Sequence, residues 1–254
     1  MTKVTYLDHS GFAVQLPEVI LVFDYYRDPS HALHKILENN PDTPVIFFVS
    51  HQHKDHYNTG IYEMAQNHRR VYVTANDVPA KAIPSTLEVA GMSAGDRIED
   101  LPGGISVKAY PSTDIGVSFM VETSGGEKIF HAGDLNLWHW KDESNAAEVK
   151  KSEAAFRKAL NRISSENPEI DIAMFPVDPR LGTDFGEGAK EFLTEIKVNN
   201  FLPMHFWGMK DEALTFLSTI QGDRSNVHFI STPGASVEIK WVNVKRWLLK
   251  SGQR

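Results

Sequence analysis

The stretch VIFFVSHQHKDH, residues 45–56, carries most of what this sequence indicates about fold and chemistry. Its first five residues form an unbroken apolar run with the length of a strand that is buried on both faces. Three histidines and an aspartate follow within six residues, at His51, His53, Asp55 and His56. Imidazole and carboxylate are the ligands that suit zinc, manganese or iron where thiolates are missing. The stretch therefore predicts a metal-binding segment directly after a buried strand, the alternative being a His-rich surface turn without metal.

The spacing of these residues adds a geometric expectation. Two side chains at i and i+2 that leave a strand end point in the same direction, so His51 and His53 are expected to share one ion. Asp55 and His56 are expected to begin the next helix and to face a second ion beside the first.

Composition narrows the function classes. The 254 residues include 26 Lys plus Arg and 33 Asp plus Glu, so the net charge is −7 with histidine neutral. This acidic balance gives no general attraction to nucleic acid or to an anionic membrane, and neither partner is expected. Cysteine is absent, which excludes disulfides, thiolate nucleophiles and Cys-ligated metal sites. The N-terminal residues lack the apolar stretch of a signal peptide and no run reaches membrane-spanning length, so a cytoplasmic location is expected.

Short β-rich runs recur along the chain, with helical periodicity between and after them. The strand candidates are residues 4–7, 12–16, 19–23, 45–49, 71–74, 105–110, 117–122, 128–130, 172–175, 227–230 and 237–241. The helix candidates are the segments at residues 33–37, 61–65, 145–165, 189–196 and 214–220. No Ser/Gly linker or low-complexity tract divides these elements, so a single domain over residues 1–254 is predicted.

Two segments of the sequence echo each other. SGFAVQLPEVILVFD at residues 10–24 and GVSFMVETSGGEKIFHAGD at residues 116–134 each pair two strands about a short turn and end on an aspartate. This pattern suggests a duplicated β-rich half with helices outside. Coincidence is the alternative, because hairpins are common.

The motif His51-x-His53-x-Asp55-His56 after a hydrophobic strand resembles the signature of the metallo-β-lactamase superfamily of metal-dependent hydrolases. IFHAGD at residues 129–134 resembles the strand that ends in the family's metal-bridging aspartate, and PMH at residues 203–205 resembles its late strand-to-loop histidine. At the front, DHSGF at residues 8–12 and VFD at residues 22–24 resemble the paired strands that open the domain. The resemblance runs from residue 4 to about residue 238.

What the resemblance implies is an α/β fold, a four-layer αββα sandwich with a two-metal site at one sheet edge. The family's ligands carry over to His51, His53, Asp55, His56, Asp134 and His205. Asp134 would be the shared bridging ligand; a turn aspartate is the alternative there, and a buried core histidine is the alternative for His205. In such a site a metal-bound hydroxide attacks the substrate while the ions polarise its oxygen. Two divalent ions are expected, zinc by family, with manganese or iron as alternatives.

One departure from the family pattern concerns the first ion. The family supplies another histidine between the first motif and the bridging aspartate, whereas this sequence has none between His68 and His131. Asp114 is the only strong ligand in the corresponding segment AYPSTDIGVSF, and we expect it to replace the missing histidine. An oxygen ligand would shift the preference from zinc towards manganese or iron. The alternative is a weakened or mononuclear site.

Other residues are candidates for supporting the site. Metal-bound imidazoles usually donate their second N–H to a carboxylate or carbonyl, and Asp24 is the candidate for that contact, with a turn carboxylate as the alternative. His9 is a candidate catalytic residue that carries a proton, alongside Asp55 and Asp134; a hydrogen-bonded strand-end histidine is the alternative.

The candidates for binding the substrate lie further along the chain, at Trp138, His139, Arg180 and Trp207. Trp138 and Trp140, on either side of His139, could wall a pocket, or pack as an aromatic patch beneath the following helix. Arg180 could clamp a substrate carboxylate or phosphate through two hydrogen bonds, or form a salt bridge with Asp178.

The sequence thus predicts a metal-dependent hydrolase that cleaves a small anionic ester, lactone, amide or phosphodiester. Within the superfamily the layout resembles a small bacterial branch that includes ascorbate-6-phosphate lactonase-like proteins. A non-catalytic metal-binding or sensing protein that retains the fold is the alternative, and a di-iron redox site is a third possibility. The expected partner is a small-molecule substrate. The oligomeric state does not follow from the sequence.

Overall fold

The computed structural model of the protein describes residues 1–87, 89–220 and 225–241. Within these residues the strands β1 to β14 are, in chain order, Thr2–Asp8, Gly11–Gln15, Ile20–Phe23, Val45–Val49, Arg70–Ala75, Val89–Met92, Arg97–Leu101, Ile105–Pro111, Val117–Glu122, Lys128–His131, Glu169–Pro176, Lys197–Met204, Asn226–Val227 and Ser236–Ile239. The helices α1 to α4 are Ala32–Glu38, Ala146–Glu166, Glu187–Glu195 and Lys210–Ile220. The end of the domain predicted at residue 254 lies outside the described residues.

The described strands form two mixed sheets. The first has the order β14-β1-β2-β3-β4-β5-β6, and the second has the order β13-β12-β11-β10-β9-β8-β7. In the first sheet β1, β2 and β3 pair antiparallel, while β3 to β6 run parallel. In the second sheet β8, β9 and β10 pair antiparallel, while β10 to β13 run parallel. Each predicted hairpin therefore leads into a set of parallel strands, one in each sheet.

Strand β4 shows how the layers stack. All five of its residues are buried, as the unbroken apolar run predicts. Ile46 and Phe48 belong to the core between the sheets, whereas Val45, Phe47 and Val49 pack with the apolar face of α1. Alternate residues of a strand point to opposite faces, so a strand covered on both sides needs apolar residues throughout. The motif that follows β4 is thus anchored by a strand with no solvent-exposed face.

Helices cover the outer face of the second sheet as well. In α2 the predicted stripe of Phe156, Ala159, Leu160 and Ile163 is buried, and Asn145 caps the helix in a capping box with Glu148. In α3 the ring of Phe192 stacks on Phe130 and Phe175, with centroids 5.5 Å and 4.5 Å away. With α1 on the first sheet, the layers are helix, sheet, sheet and helix. The predicted αββα sandwich is confirmed.

The prediction that a helix begins at Asp55 and His56 is wrong. Both residues lie in a turn, and only a short 3-10 helix, Thr59–Tyr62, follows them. The side chain of Asn58 accepts a hydrogen bond from the N–H of Gly60, which competes with helical hydrogen bonding. Ala65 adopts a positive φ of 51°, so the predicted helical face at residues 61–65 does not form.

Three strands were not predicted. Arg97–Leu101 is an exposed edge strand rich in charge, and Val89–Met92 contains a glycine. Lys197–Met204 contains two asparagines and a proline, which are depleted in strands. The strand predicted at residues 227–230 is limited to Asn226–Val227. Among the residues described, none of the helices is long and apolar enough to cross a membrane.

Candidate metal centre

Five chemically active side chains follow the carboxyl ends of parallel strands. They are Asp24 after β3, His51 after β4, Asp134 after β10, Asp178 after β11 and His205 after β12. Because parallel strands end at the same edge of a sheet, each sheet presents its residues at one edge. The contacts between the two sets show that these edges meet. The site therefore lies where the two sheets deliver their loops.

Asp134 lies at the centre of the site. Its Oδ1 is 3.0 Å from His56 Nε2 and 3.3 Å from His205 Nε2. Its Oδ2 is 3.3 Å from His51 Nε2. The two oxygens of this one carboxylate thus face different histidines.

The ligand atoms around Asp134 form two groups. The inner cluster consists of His9, Asp55, His56 and His205, whose ligand atoms all lie within 4.8 Å of one another. The outer cluster consists of His51, His53 and Asp134 and meets the same limit. All six ligands implied by the family resemblance are brought together, with His9 in addition.

Asp24, His51 and His56 form a third group of possible ligands, but the Asp24 carboxylate in it is already hydrogen-bonded to other groups. Asp24 Oδ1 accepts from the Ser50 N–H, and Oδ2 accepts from the Ser50 hydroxyl and lies 2.7 Å from His56 Nδ1. Asp24 is fully buried behind these partners. It is placed to hold His56, the contact for which it was a candidate, rather than to face an ion.

The inner cluster fits a cation because its buried polar atoms lack other partners. Nε2 of His9, His56 and His205 and Oδ1 of Asp134 are buried. Although His56 and His205 lie 3.0 Å and 3.3 Å from that oxygen, none of the four atoms has a hydrogen-bond partner within the part of the chain that the structure describes. Buried polar atoms left unpaired cost free energy, so four of them converging on one place is a signature of a missing partner. Nitrogen and carboxylate oxygen are suitable donors for a divalent ion.

The electrostatics of the site favour positive charge. Burial alone would raise the pKa of Asp134, but the neighbouring His56 and His205 hold it well below its usual value. Burial would lower the pKa of His56, whereas Asp134 and Asp24 raise it to about 10. The pKa of His205 is raised against its burial by Asp134 and Asp178. Burial and the neighbouring His205 lower the pKa of His9 to about 4. Carboxylates that draw protons onto two buried imidazoles would equally draw a metal ion.

Three histidines of the site are fixed from behind. His56 Nδ1 is 2.7 Å from Asp24, His205 Nδ1 is 2.9 Å from Asp178 Oδ2, and His51 Nδ1 is 2.9 Å from the Ser50 hydroxyl. In each case Nε2 is left to face the site. Such contacts set the tautomer and the orientation of metal-binding imidazoles.

The backbone around the site is strained in the way that functional sites often are. His9, Asp24, His205 and Trp207 have positive φ values of 54°, 41°, 65° and 45°. Non-glycine residues rarely adopt this conformation, and it persists only where the surrounding structure enforces it. Gly116 meets a related demand, because a Cβ there would lie 2.0 Å from the Ser50 carbonyl oxygen.

The outer cluster is more open than the inner one. The side chain of His53 is 47% exposed, and its Nδ1 lies 3.0 Å from His51 Nε2. Asp114 is 45% exposed, with Oδ2 3.7 Å from His53 Nδ1. The structure thus brings Asp114 to this cluster, and its role as a replacement ligand stays a prediction.

A cavity of about 290 Å³ opens onto both clusters. Its lining consists of His53, Asp55, Thr113, Asp114, Asp134, Trp138, Trp140, Arg180 and His205. The indole N–H of Trp138 donates to the Asp134 carbonyl oxygen at 2.7 Å. Trp207 lies beside the cavity, with its ring 4.3 Å from the His9 ring and under the Arg180 guanidinium.

Two of the predicted substrate contacts, His139 and Arg180, differ in their position relative to the cavity. His139 is buried with Nε2 3.3 Å from the Asp184 carbonyl oxygen, and it does not line the cavity. Arg180 lines the cavity and forms the salt bridge with Asp178, so that alternative is confirmed, and its contact with a substrate stays a prediction.

Asp178 and Ser50 are functional candidates that the sequence reasoning missed. Asp178 follows β11 as Asp134 follows β10, and that repeated position after a buried strand is the signal that could have found it.

Comparison with known proteins agrees with this architecture. The structure of Igni18, described as a novel metallo hydrolase from the archaeon Ignicoccus hospitalis, aligns with a TM-score of 0.65 at 17% identity, over 94% of this chain and 99% of that one. CmlA, a diiron β-hydroxylase from Streptomyces venezuelae, aligns with a TM-score of 0.58 at 10% identity, over 94% of this chain and 54% of that one. At these identities the likenesses show the fold.

Two comparisons rest on sequence. A curated relative, the fatty acid synthase subunit alpha of Gibberella zeae, is 23% identical over 154 residues, which are 58% of this chain but only 9% of that protein. The family described as the beta-lactamase superfamily domain matches residues 22–206, which include the motif after β4, Asp134 and His205. The chain belongs to the metallo-β-lactamase superfamily.

Proposed function

We propose that the protein is a metal-dependent hydrolase that acts at a two-ion site on a small anionic ester, lactone, amide or phosphodiester. The observation that carries this proposal is the placement of Asp134, whose two carboxylate oxygens face the histidines of two separate clusters. A single carboxylate between two ions is the arrangement that two-metal hydrolytic sites use.

The residues that would hold the ions follow from the clusters. Asp55, His56 and His205 would hold the inner ion, His51 and His53 with Asp114 would hold the outer ion, and Asp134 would be shared. The donors are nitrogen and oxygen only, which suits zinc and, with the oxygen of Asp114, also manganese or iron. When bound, the ions supply Lewis acidity and lower the pKa of water enough to make it a nucleophile at neutral pH.

The carboxylates have different tasks in this proposal. Although burial opposes it, the neighbouring imidazoles of His9 and His56 hold the pKa of Asp55 well below its usual value. Asp55 is therefore a weak base and serves better as a ligand than as a proton acceptor. The main chain at Asp134 is fixed by the Trp138 indole N–H, which donates to its carbonyl oxygen. We assign the positioning of the reacting groups to Asp134.

The cavity favours a small substrate that carries negative charge. Its volume of about 290 Å³ is at the low end for small-molecule sites. The guanidinium of Arg180 faces it, held in place by Asp178 and by the Trp207 ring 4.6 Å away. A preorganised guanidinium suits a carboxylate or phosphate of the substrate.

A non-catalytic metal-binding protein is the second candidate, and the exposure of His53 and Asp114 favours it. An open outer cluster would release its ion and leave a single, buried one. The two candidates differ in the number of ions held and in turnover.

The experiment loads the protein, purified without a histidine tag, with zinc, manganese or iron(II) and measures metal per chain by elemental mass spectrometry after gel filtration. The same samples are assayed on p-nitrophenyl esters, lactones and phosphodiesters. Two ions per chain with turnover that Asp134→Asn abolishes is the expected result. His34→Ala, at a side chain that is 71% exposed on α1, is the matched control and should behave like the parent. One ion and no turnover on any substrate class would favour the non-catalytic protein, and no bound ion would refute both.

A further inference from the structure

The turn between β1 and β2 holds a histidine rigidly against the inner cluster. His9 adopts a positive φ of 54°, its N–H donates to Asp8 Oδ1 at 2.8 Å, and its carbonyl oxygen accepts from the His205 N–H at 3.2 Å. Asp8 is held in turn by Arg27. A strained conformation enforced by contacts on both sides of the peptide fixes where the imidazole points.

The His9 imidazole points into the inner cluster. The residue is 5% exposed, and its ring centroid lies 4.1 Å from that of His205 and 5.4 Å from that of His56. The centroid of the Trp207 ring lies 4.3 Å from that of His9. Nε2 lies 3.3 Å from Asp55 Oδ2, yet it has no hydrogen-bond partner among the described residues.

Two roles fit a buried imidazole nitrogen beside a carboxylate. In the first, Nε2–H donates to Asp55 and holds that carboxylate in place. In the second, the Nε2 lone pair binds the same ion as Asp55. The geometry favours the second role, because Nε2 of His9, His56 and His205 are all buried and unpaired among the described residues. One ligand atom from each of these histidines and one from Asp55 also lie within 4.8 Å of one another. A donor role would require a hydrogen bond from Nε2–H to Asp55, and at 3.3 Å none is formed.

We infer that His9 is a ligand of the inner ion through Nε2, an inference that rests on the metal site of the proposed function. The inner ion would then have three imidazoles and the carboxylates of Asp55 and Asp134. The outer ion would have two imidazoles, with Asp134 and the half-exposed Asp114. The two sites are therefore unequal, and the inner ion is the one retained against a chelator.

The test uses substitutions that separate a lone-pair acceptor from a hydrogen-bond donor. Gln in place of His9 keeps an N–H that can donate to Asp55 but is a poor ligand, whereas Asp supplies a ligand oxygen and no donor. Loss of a group that only orients a ligand costs about 10–100-fold in metal affinity, and loss of a ligand should cost at least the upper end of that range. If His9 is a ligand, His9→Gln therefore weakens the tighter zinc-binding step by roughly 100-fold or more, whereas His9→Asp retains much of the affinity. A donor role predicts the reverse order, since an aspartate beside Asp55 would repel it.

Zinc affinities are measured by competition with a chromophoric chelator, and circular dichroism and thermal unfolding confirm that each variant is folded. His34→Ala serves as the surface control. A second readout is ¹⁵N NMR of protein with labelled histidine, in which the His9 Nε2 resonance, assigned by its loss in His9→Gln, should shift when zinc is added. An unmoved resonance or parent-like affinity in His9→Gln would overturn the inference while leaving the two-ion site intact. A parent that binds no metal would refute the proposed function as well.

Discussion

The two sheets of this protein share one strand plan but use it differently. Strands β1 to β6 and strands β8 to β13 each begin with an antiparallel hairpin and continue with parallel strands, and β14 and β7 add an antiparallel edge to each. Asp24 leaves the third strand of one set and Asp134 leaves the third strand of the other. These are the two aspartates that close the echoed segments of the sequence.

The difference lies in which strand end faces the two clusters. In the first sheet Asp24 supports His56 from behind and the next strand delivers His51 to the outer cluster. In the second sheet the third strand delivers Asp134 to the centre, and the next strand delivers Asp178, which supports His205 from behind. In each sheet, one of these two neighbouring strand ends delivers a side chain to the clusters and the other delivers a carboxylate that positions a histidine, in opposite order. Equivalent positions in a repeated plan can therefore exchange roles.

The largest expected effect tests the contrast between the two aspartates. Asp134→Asn removes the charge shared by both clusters, so we expect loss of at least one bound ion and a fall in kcat by about three orders of magnitude, since Lewis-acid stabilisation contributes several kcal/mol and each 1.4 kcal/mol is about tenfold in rate. Asp24→Asn keeps oxygen and amide groups for Ser50 and should retain two ions at saturating metal. Metal content and kcat at saturating zinc are the measurements. Equal losses in the two variants would contradict the division of roles.

The next largest effect is expected on zinc affinity when either supporting carboxylate, Asp24 or Asp178, is replaced. Asp178→Asn weakens the hold on His205 as Asp24→Asn weakens the hold on His56, and both histidines belong to the inner cluster. Loss of such an outer partner typically costs about 10–100-fold in metal affinity, so both variants should weaken zinc binding within that range.

Competition with a chelator measures the zinc affinity of the two variants. Asp142→Asn serves as the control, because the Asp142 carboxylate accepts a hydrogen bond from the Thr183 N–H and belongs to neither cluster. Parent-like zinc affinity in Asp178→Asn would mean that Asp178 does not support His205 in the way that Asp24 supports His56.

How far the sequence predicted this arrangement depends on how local each signal is. The run at Val45–Val49 and the motif after it are contiguous, so the buried strand and its ligands could be predicted from the sequence. Strand β12 could not, because Asn200 in it satisfies its side chain by donating to the Asp171 carbonyl oxygen of the neighbouring strand. Such a partner exists only after the sheet forms.

The supporting contacts were harder to predict for the same reason. Asp178 is two residues from Arg180, and that local salt bridge is real, but its contact with His205 joins residues 27 apart on adjacent strands. His9 was recognised as a candidate from the sequence, yet its place in the inner cluster depends on the positive φ of the β1–β2 turn, which the sequence pattern did not predict. The ligands in contiguous motifs were predictable, and the groups that orient them across strands were not.

A smaller effect separates the two clusters. Asp114 is 45% exposed and lies 3.7 Å from His53, which is itself in the outer cluster. Asp114→Ala should therefore reduce bound metal from two ions towards one and leave the tighter binding step unchanged. Elemental analysis after dialysis against a weak chelator measures this, with Asp42→Ala, in the turn after α1, as the control. Two ions retained in Asp114→Ala would show that the outer site is complete without this carboxylate.

The smallest effect concerns the substrate. Nε and one terminal nitrogen of Arg180 already donate hydrogen bonds to Asp178. Fewer of its N–H groups are therefore free to bind an anionic substrate. Arg180→Lys keeps the charge but loses the paired geometry and the stacking on Trp207. A charge-assisted hydrogen bond contributes about 1.5–3 kcal/mol, so KM for an anionic substrate should rise by roughly tenfold with kcat little changed. An uncharged ester of similar size should show no such rise, and an equal rise for both substrates would mean that Arg180 shapes the cavity rather than recognising charge.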